Sequence, residues 1–165
     1  MLFLIAERLL GRLPAPWHRT ALRLAHSVRV VWWRVRKPRL EACRVIALNA
    51  RGEVALVRHA YGSGEWMPPG GGKKPSEDPI PAALRELSEE LGCDLANPRL
   101  VAIARDTLHG AGNVVHIVVG DCVGTPTPDQ REIIEARFFA PDALPDNAAR
   151  GLREALPLWL ENVGR

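Results

Sequence analysis

The spacing of hydrophobic residues changes at Pro38, and this change divides the chain into two parts. Before Pro38, apolar residues recur at steps of three and four, as on one side of a helix, in residues 2–13 and again in residues 19–36. Prolines separate the two stretches. The pattern predicts a helical N-terminal extension that occupies residues 1–40.

After Pro38 the apolar residues come in short runs, which are typical of strands. Residues 43–48 and 53–59 are two such runs, and the polar turn at 49–52 between them predicts a β-hairpin. Further strands are predicted at residues 100–104, 114–123 and 133–139.

Two helices are predicted among these strands. The first runs to Leu91, with Asp78 as its N-cap, Pro79 in its first turn and Gly92 as its C-terminal stop. The second, amphipathic, covers residues 147–163. Strands mixed with helices predict an α/β domain over residues 41–165.

Charge divides the chain at the same place as hydrophobicity. Residues 1–40 carry nine Lys or Arg and one acid, a net charge of +8, whereas the remaining residues carry 13 bases and 18 acids, a net charge of −5. A basic amphipathic segment beside an acidic domain suits a nucleic acid or an anionic membrane surface, and it also suits packing on its own domain or on a second copy in a homodimer. These alternatives stay open.

Length and cysteine content exclude some classes of protein. A chain of 165 residues can bury a sizeable core without disulfides or structural metals. No apolar run reaches the roughly 20 residues of a membrane span. Three widely spaced cysteines form no metal-binding motif, and no secretory signal is apparent, so we expect buried thiols and a cytoplasmic location.

The residues that indicate chemistry lie at 70–90. Glu86, Glu89 and Glu90 are spaced so that a helix presents them on one face, where like charges repel. A hard divalent cation, which prefers oxygen ligands, offsets that repulsion. The glycines at 70–72 allow the backbone to approach such a cation or a phosphate closely. The combination predicts a magnesium site for phosphate chemistry.

Residues 71–93 resemble the signature of the Nudix hydrolase family. Gly71 is followed after five residues by Glu77 and, after seven more, by Arg85-Glu86-Leu87-Ser88-Glu89-Glu90-Leu91-Gly92. Cys93 stands where the family usually has an aliphatic residue. The resemblance covers about residues 42–160. It implies an α/β/α sandwich with a mixed β-sheet, and Mg²⁺-dependent hydrolysis of a pyrophosphate in a nucleoside diphosphate derivative or nucleotide, with Mn²⁺ as an alternative cation.

The resemblance also implies roles for individual residues. The implied catalytic set is Glu86, Glu89, Glu90, Arg85, Glu77 and Glu132, with Glu135 as the next choice after Glu132. The implied metal ligands are the Gly70 carbonyl, Glu86, Glu89 and Glu90. Which carboxylate acts as the general base is left open.

Three cations near the signature are candidates for substrate phosphates. They are Arg58, Lys73 and Lys74, and the alternative for each is an ordinary surface side chain. Trp66 has two interpretations, stacking on a base or closing the core.

Two functions compete with hydrolysis of a small nucleotide. One is a binding or regulatory module of the same fold that has lost turnover. The other is hydrolysis of an RNA 5′ end or a membrane-bound pyrophosphate, with residues 1–40 as the docking segment.

Overall fold

The computed structural model describes Trp32, residues 35–36, residues 38–108 and residues 110–163. Trp32, Val35 and Arg36 are helical, and the rest of the two predicted N-terminal helices lies outside the described residues. Among the described helices, none has the length and hydrophobicity to cross a membrane.

The described chain forms a five-stranded sheet with a helix on each face. The elements in chain order are β1 (Leu40–Leu48), β2 (Val54–His59), α1 (Pro79–Leu91), β3 (Asp94–Leu108), β4 (Ala111–Val123), β5 (Ile133–Phe139) and α2 (Leu152–Glu161). The strand order is β3-β4-β1-β2-β5. Because β1 runs parallel to β4 while the other pairs are antiparallel, the sheet is mixed, and the predicted α/β/α sandwich is confirmed.

Alternate residues of β1 and β2 build a core on each face of the sheet. On one face Val45 and Val57 pack against Leu87 and Leu91 of α1, and all four side chains are fully buried. On the other face Ile46, Leu56, Leu152 and Leu156 form the corresponding cluster with α2. Each such side chain contributes about 1.5–3 kcal/mol through burial. The central strands are therefore mostly apolar on both sides, as their short hydrophobic runs predict.

The predicted ends of α1 match the structure, with one difference at the N-cap. Asp78 occupies the N-cap position, but its side chain makes no capping hydrogen bond. Pro79 is the first helical residue, and Gly92 ends the helix in a left-handed conformation while its N–H donates to the Ser88 carbonyl. The second helix is shorter than predicted, since it begins only after Gly151.

The strands of the β3–β4 hairpin are longer than their hydrophobic runs predict. β3 begins at Asp94 rather than at residue 100, and β4 begins at Ala111 rather than at residue 114. β3 is an edge strand, and Leu100 and Ile103 on it are exposed. Backbone hydrogen bonds to β4 include polar as well as apolar residues of β3. The apolar run in the sequence therefore predicts only part of this strand.

The predicted hairpin of β1 and β2 is open. These two strands pair only next to their turn, through Leu48 and Val54. Residues 66–73, which we call the glycine segment, fill the gap between them: Val57 N–H donates to the Met67 carbonyl, Val45 N–H to the Pro69 carbonyl and Cys43 N–H to the Gly71 carbonyl. The segment is thereby held in the middle of the sheet, directly beside α1.

Candidate active site

The glycine segment approaches its neighbours too closely for side chains. Gly70 has φ 136°, and a Cβ there would lie 2.3 Å from the Cys43 carbonyl oxygen. A Cβ on Gly71 would lie 2.5 Å from Glu86 Oε2. Glycine is therefore required at residue 70 by conformation and space, and Gly71 brings the backbone against a carboxylate of α1.

The predicted acidic face of α1 turns toward this segment, and its three glutamates differ in burial. Glu90 is only 7% exposed, and the Glu86 side chain is 13% exposed. The Glu89 side chain lies nearer solvent at 60% exposed. The face therefore runs from a buried carboxylate beside Gly70 to a solvent-accessible one.

Four residues form an ion-pair network that we call the outer group: Glu77, Arg85, Glu86 and Glu89. Arg85 donates from Nε to Glu77 Oε1 and from Nη2 to Glu77 Oε2, each at 3.0 Å. Its Nη1 reaches Glu86 Oε1 at 2.6 Å and Glu89 Oε2 at 3.2 Å. One guanidinium thus bonds three carboxylates and fixes their positions relative to one another.

Charge compensation controls the pKa values in the outer group. The bidentate bond from Arg85 lowers the pKa of Glu77 to about 2, since it favours the ionised carboxylate. The pKa of Arg85 is raised for the same reason. Burial raises the pKa of Glu86, although the bond from Arg85 opposes this.

On the buried side Gly70 bonds both Arg44 and Glu90, and the charge of Glu132 acts on Glu90; we call these four residues the inner group. Gly70 N–H donates to Glu90 Oε2 at 3.0 Å, and Arg44 Nη1 donates to the Gly70 carbonyl at 2.8 Å. Burial raises the pKa of Glu90 to about 8; the Gly70 bond and the Arg44 charge oppose the rise, while Glu86 and Glu132 add to it. Glu90 is thus a carboxyl group that holds its proton near neutral pH in the metal-free protein.

A tight turn positions Glu132 just before β5. Asp129 Oδ1 accepts hydrogen bonds from the backbone N–H groups of Arg131, Glu132 and Ile133. Asp129 N–H in turn donates to the Glu90 carbonyl at 3.2 Å. The turn is therefore hydrogen-bonded to α1 at Glu90, and the charge of Glu132 helps to raise the pKa of that same residue.

The candidate substrate cations lie in different surroundings. Lys73 Nζ bonds Glu41 Oε2 at 2.7 Å and the Glu77 carbonyl at 2.8 Å, and its side chain is 10% exposed. Lys74 is exposed. Arg58 pairs with Glu135 at 2.8 Å and lies over the Trp66 ring. Their contact with substrate stays a prediction.

Trp66 closes the core. It is buried, and its ring meets the Phe139 ring edge-on at 5.0 Å. Its backbone also pairs with residues 147–149. Of the two interpretations made from the sequence, packing is the one that this geometry favours.

The donor chemistry of the site fits a hard divalent cation. Its candidate ligands are all oxygens, and two of the carboxyls, Glu86 and Glu90, have raised pKa values because they are buried together without enough positive charge. Among the described residues, no group of three His, Cys, Asp or Glu side chains lies close enough together to hold a metal ion. Arg85 draws Glu86 and Glu89 to itself instead.

Sequence reasoning missed Arg44 and Asp129. Arg44 interrupts the apolar run of β1, and a charged residue in a central strand is a signal that it has a specific partner. Asp129 lies in a polar loop, where nothing in the sequence distinguishes it from its neighbours.

Comparison with known proteins adds a family and a fold. The model of the NUDIX domain family matches residues 38–159. The chain is 39% identical over 64 residues to proteins named RNA pyrophosphohydrolase from Yersinia enterocolitica and Yersinia pestis. That match covers 39% of this chain, and the chain spans 36% of the length of these curated relatives.

Solved structures share the fold at low identity. The MutT NUDIX hydrolase from Burkholderia pseudomallei superposes with a TM-score of 0.66 at 24% identity, over 73% of this chain and 98% of that one. An Ap4A hydrolase from C. elegans superposes with a TM-score of 0.64 at 17% identity, over 76% and 98%. At these identities the likeness supports the architecture alone.

Proposed function

The chain belongs to the Nudix hydrolase family. We propose that it hydrolyses a pyrophosphate bond in a nucleoside diphosphate derivative or nucleotide, with Mg²⁺ or Mn²⁺ as cofactor. The observation that carries the proposal is the assembled acidic face. Glu86, Glu89 and Glu90 lie on one side of α1, against backbone that only glycine permits at residue 70. A binding or regulatory module that has lost turnover would not require this arrangement of carboxylates.

Glu86, Glu89, Glu90 and the Gly70 carbonyl are the groups that would hold the cation, which supplies charge neutralisation for phosphate and a lowered pKa for bound water. The chain's own residues orient this set. Arg85 and Glu77 keep the outer carboxylates in place, and Gly70 N–H does the same for Glu90.

A general base must take a proton from water near neutral pH. Glu89 is open to solvent, and Glu132 is held by the Asp129 turn near Glu90. Comparing the pH–rate profiles of Glu89→Gln and Glu132→Gln discriminates between these two, since loss of the base removes the acidic limb of the profile.

The test is a substrate screen of the whole protein. Nucleoside diphosphate derivatives, nucleoside triphosphates and dinucleoside polyphosphates are incubated with Mg²⁺, with Mn²⁺ and with EDTA, and released phosphate or nucleotide is measured. We expect metal-dependent turnover that falls about 100-fold or more in Glu89→Gln and Glu90→Gln. Glu53→Gln, which alters a carboxylate in the β1–β2 turn, is the matched control. No turnover of any compound, with variants that behave like wild type, would contradict the proposal.

A second candidate is hydrolysis of RNA 5′ ends. Two observations favour it: the relatives named RNA pyrophosphohydrolase, and the net charge of +8 on residues 1–40. Affinity for a 5′-triphosphorylated RNA should then fall steeply with salt. Neutralising arginines of residues 19–36 in the full chain should weaken RNA binding and leave mononucleotide turnover unchanged. An equal effect on both substrates would speak against this candidate.

We also propose a cytoplasmic location. The three cysteines are free, with two of them buried, as suits a reducing compartment. Fractionation of cells that express the full chain tests this point.

A further inference from the structure

Arg44 is a charged residue in the central strand β1, and its side chain ends at the glycine segment. Its Nη1 donates to the Gly70 carbonyl at 2.8 Å, and the side chain is half-buried. The adjacent Gly70 N–H bonds Glu90. Gly70 therefore connects Arg44, through its carbonyl, with the buried acid of α1, through its N–H.

Within the described residues, the Arg44 guanidinium forms no ion pair. Arg85 pairs with Glu77 and Arg58 pairs with Glu135, whereas no carboxylate of the described residues lies within 4.0 Å of the Arg44 guanidinium. A partly buried cation without an anion is unfavourable unless hydrogen bonds or a ligand compensate it. One carbonyl supplies part of that compensation.

Most of the hydrogen-bonding capacity of Arg44 is unused. A guanidinium has five N–H donors in a planar fork, which suits the oxygens of a phosphate. The Gly70 carbonyl takes one of them. Arg44 makes no other side-chain hydrogen bond to a described residue, and none of its remaining nitrogens is buried without a partner, so these donors reach solvent.

We propose that Arg44 binds a phosphate oxygen of the substrate while its bond to the Gly70 carbonyl holds the guanidinium beside the acidic face of α1. The proposal rests on the proposed function, since it requires a substrate that carries phosphate. It goes further than that function because it names a residue of β1 as a ligand of the substrate phosphate. A purely structural Arg44 would clamp Gly70 and never touch the substrate.

The two roles differ in what substitution does. Arg44→Met keeps the aliphatic stem and removes the charge, and Arg44→Lys keeps the charge but loses the fork. Arg99→Met is the matched control, because Arg99 also donates to a backbone carbonyl, that of Val163, at 2.7 Å, and lies on β3 beside the end of α2. Each protein is studied as the full chain.

Two measurements separate the roles. For the best substrate of the screen, Arg44→Met should raise KM about 10- to 100-fold, as expected for loss of a charge-assisted hydrogen bond, with a smaller change in kcat. In EDTA, calorimetric titration with inorganic pyrophosphate should give weaker binding to Arg44→Met than to wild type. Arg44→Lys should fall between them, and Arg99→Met should match wild type in both.

Clear outcomes overturn the proposal. One is a wild-type protein that binds pyrophosphate no more tightly than Arg44→Met. Another is an unchanged KM in Arg44→Met or, should that variant not fold, in Arg44→Lys. If wild type turns over no compound, the proposed function fails, while pyrophosphate binding still decides the role of Arg44.

Discussion

The outer and inner groups both contain glutamates, yet the pKa values of Glu77 and Glu90 shift in opposite directions. Glu77 in the outer group has a pKa lowered to about 2 by the Arg85 guanidinium. Glu90 in the inner group has a pKa raised to about 8 by burial. The arginine of the outer group bonds three carboxylates, and the arginine of the inner group bonds a carbonyl.

The difference shows where the site has capacity for added positive charge. In the outer group one guanidinium is shared by three carboxylates, so it orients Glu86 and Glu89 but leaves the group with a net negative charge. The inner group holds a buried acid next to other acids and gains most from a cation. The site thus combines a rigid ion-pair frame with an under-compensated pocket of oxygens.

The largest effect should come from placing a side chain on the inner group's backbone. Gly70→Ala puts a Cβ 2.3 Å from the Cys43 carbonyl in a conformation that L residues rarely adopt. We expect a loss of about 3 kcal/mol or more in the free energy of unfolding, measured by urea denaturation. Gly72→Ala is the control, since a Cβ there meets open space. Equal stability of the two variants would refute the close-approach explanation.

The pH dependence of stability should separate the groups next. In metal-free protein Glu90 stays protonated to pH about 8, while the unfolded chain ionises it near 4.5, so folded protein binds more protons and stability falls as pH rises through that interval. Glu77, with its lowered pKa, contributes stability above 4.5 that is lost as pH falls toward about 2.

Urea denaturation in EDTA across this pH range measures both effects. Glu90→Gln should flatten the decline between pH about 5 and about 8. Glu77→Gln should lower stability above pH about 4.5 and weaken the loss of stability as pH falls toward about 2. Parallel profiles for wild type and Glu90→Gln would show that Glu90 ionises normally.

Removing the central cation of the outer group should have an intermediate effect. Arg85→Met leaves Glu77, Glu86 and Glu89 without their shared partner, and we expect about 1–3 kcal/mol of destabilisation together with reduced kcat. Arg85→Lys should recover only part of the loss, because an ammonium lacks the bidentate geometry. Full recovery by lysine would mean that charge alone, without orientation, is needed.

The smallest effects are expected at the two loop lysines beside the outer group. Lys73→Met removes bonds to Glu41 and to the Glu77 carbonyl and should cost about 1 kcal/mol, read as a lower thermal midpoint. Lys74→Met should leave stability unchanged, since Lys74 is exposed. A raised KM in either variant would assign that lysine to the substrate.

Much of this protein follows from its sequence alone. Helical spacing predicts that Glu86, Glu89 and Glu90 lie on one face, and the signature of residues 71–93 indicates the family. Both features can be read from the sequence because they are local in the chain. The apolar runs of β1, β2, β4 and β5 likewise mark strands wherever burial on the sheet is continuous. The ends of edge strand β3 could not be predicted from hydrophobicity, because they are defined by backbone pairing with β4 rather than by burial.

Only the tertiary structure decided which carboxyl is buried, which carboxyl is paired with an arginine, and that Arg44 bonds a carbonyl of the glycine segment. The glycine segment lies between β1 and β2 and is held by contacts between residues at least 20 positions apart, such as Arg44 with Gly70 and Gly70 with Glu90. No local pattern encodes such distances. The pKa of a glutamate depends on solvent exclusion and on neighbours from other strands, so identical residues of α1 acquire their separate properties only when the sheet assembles.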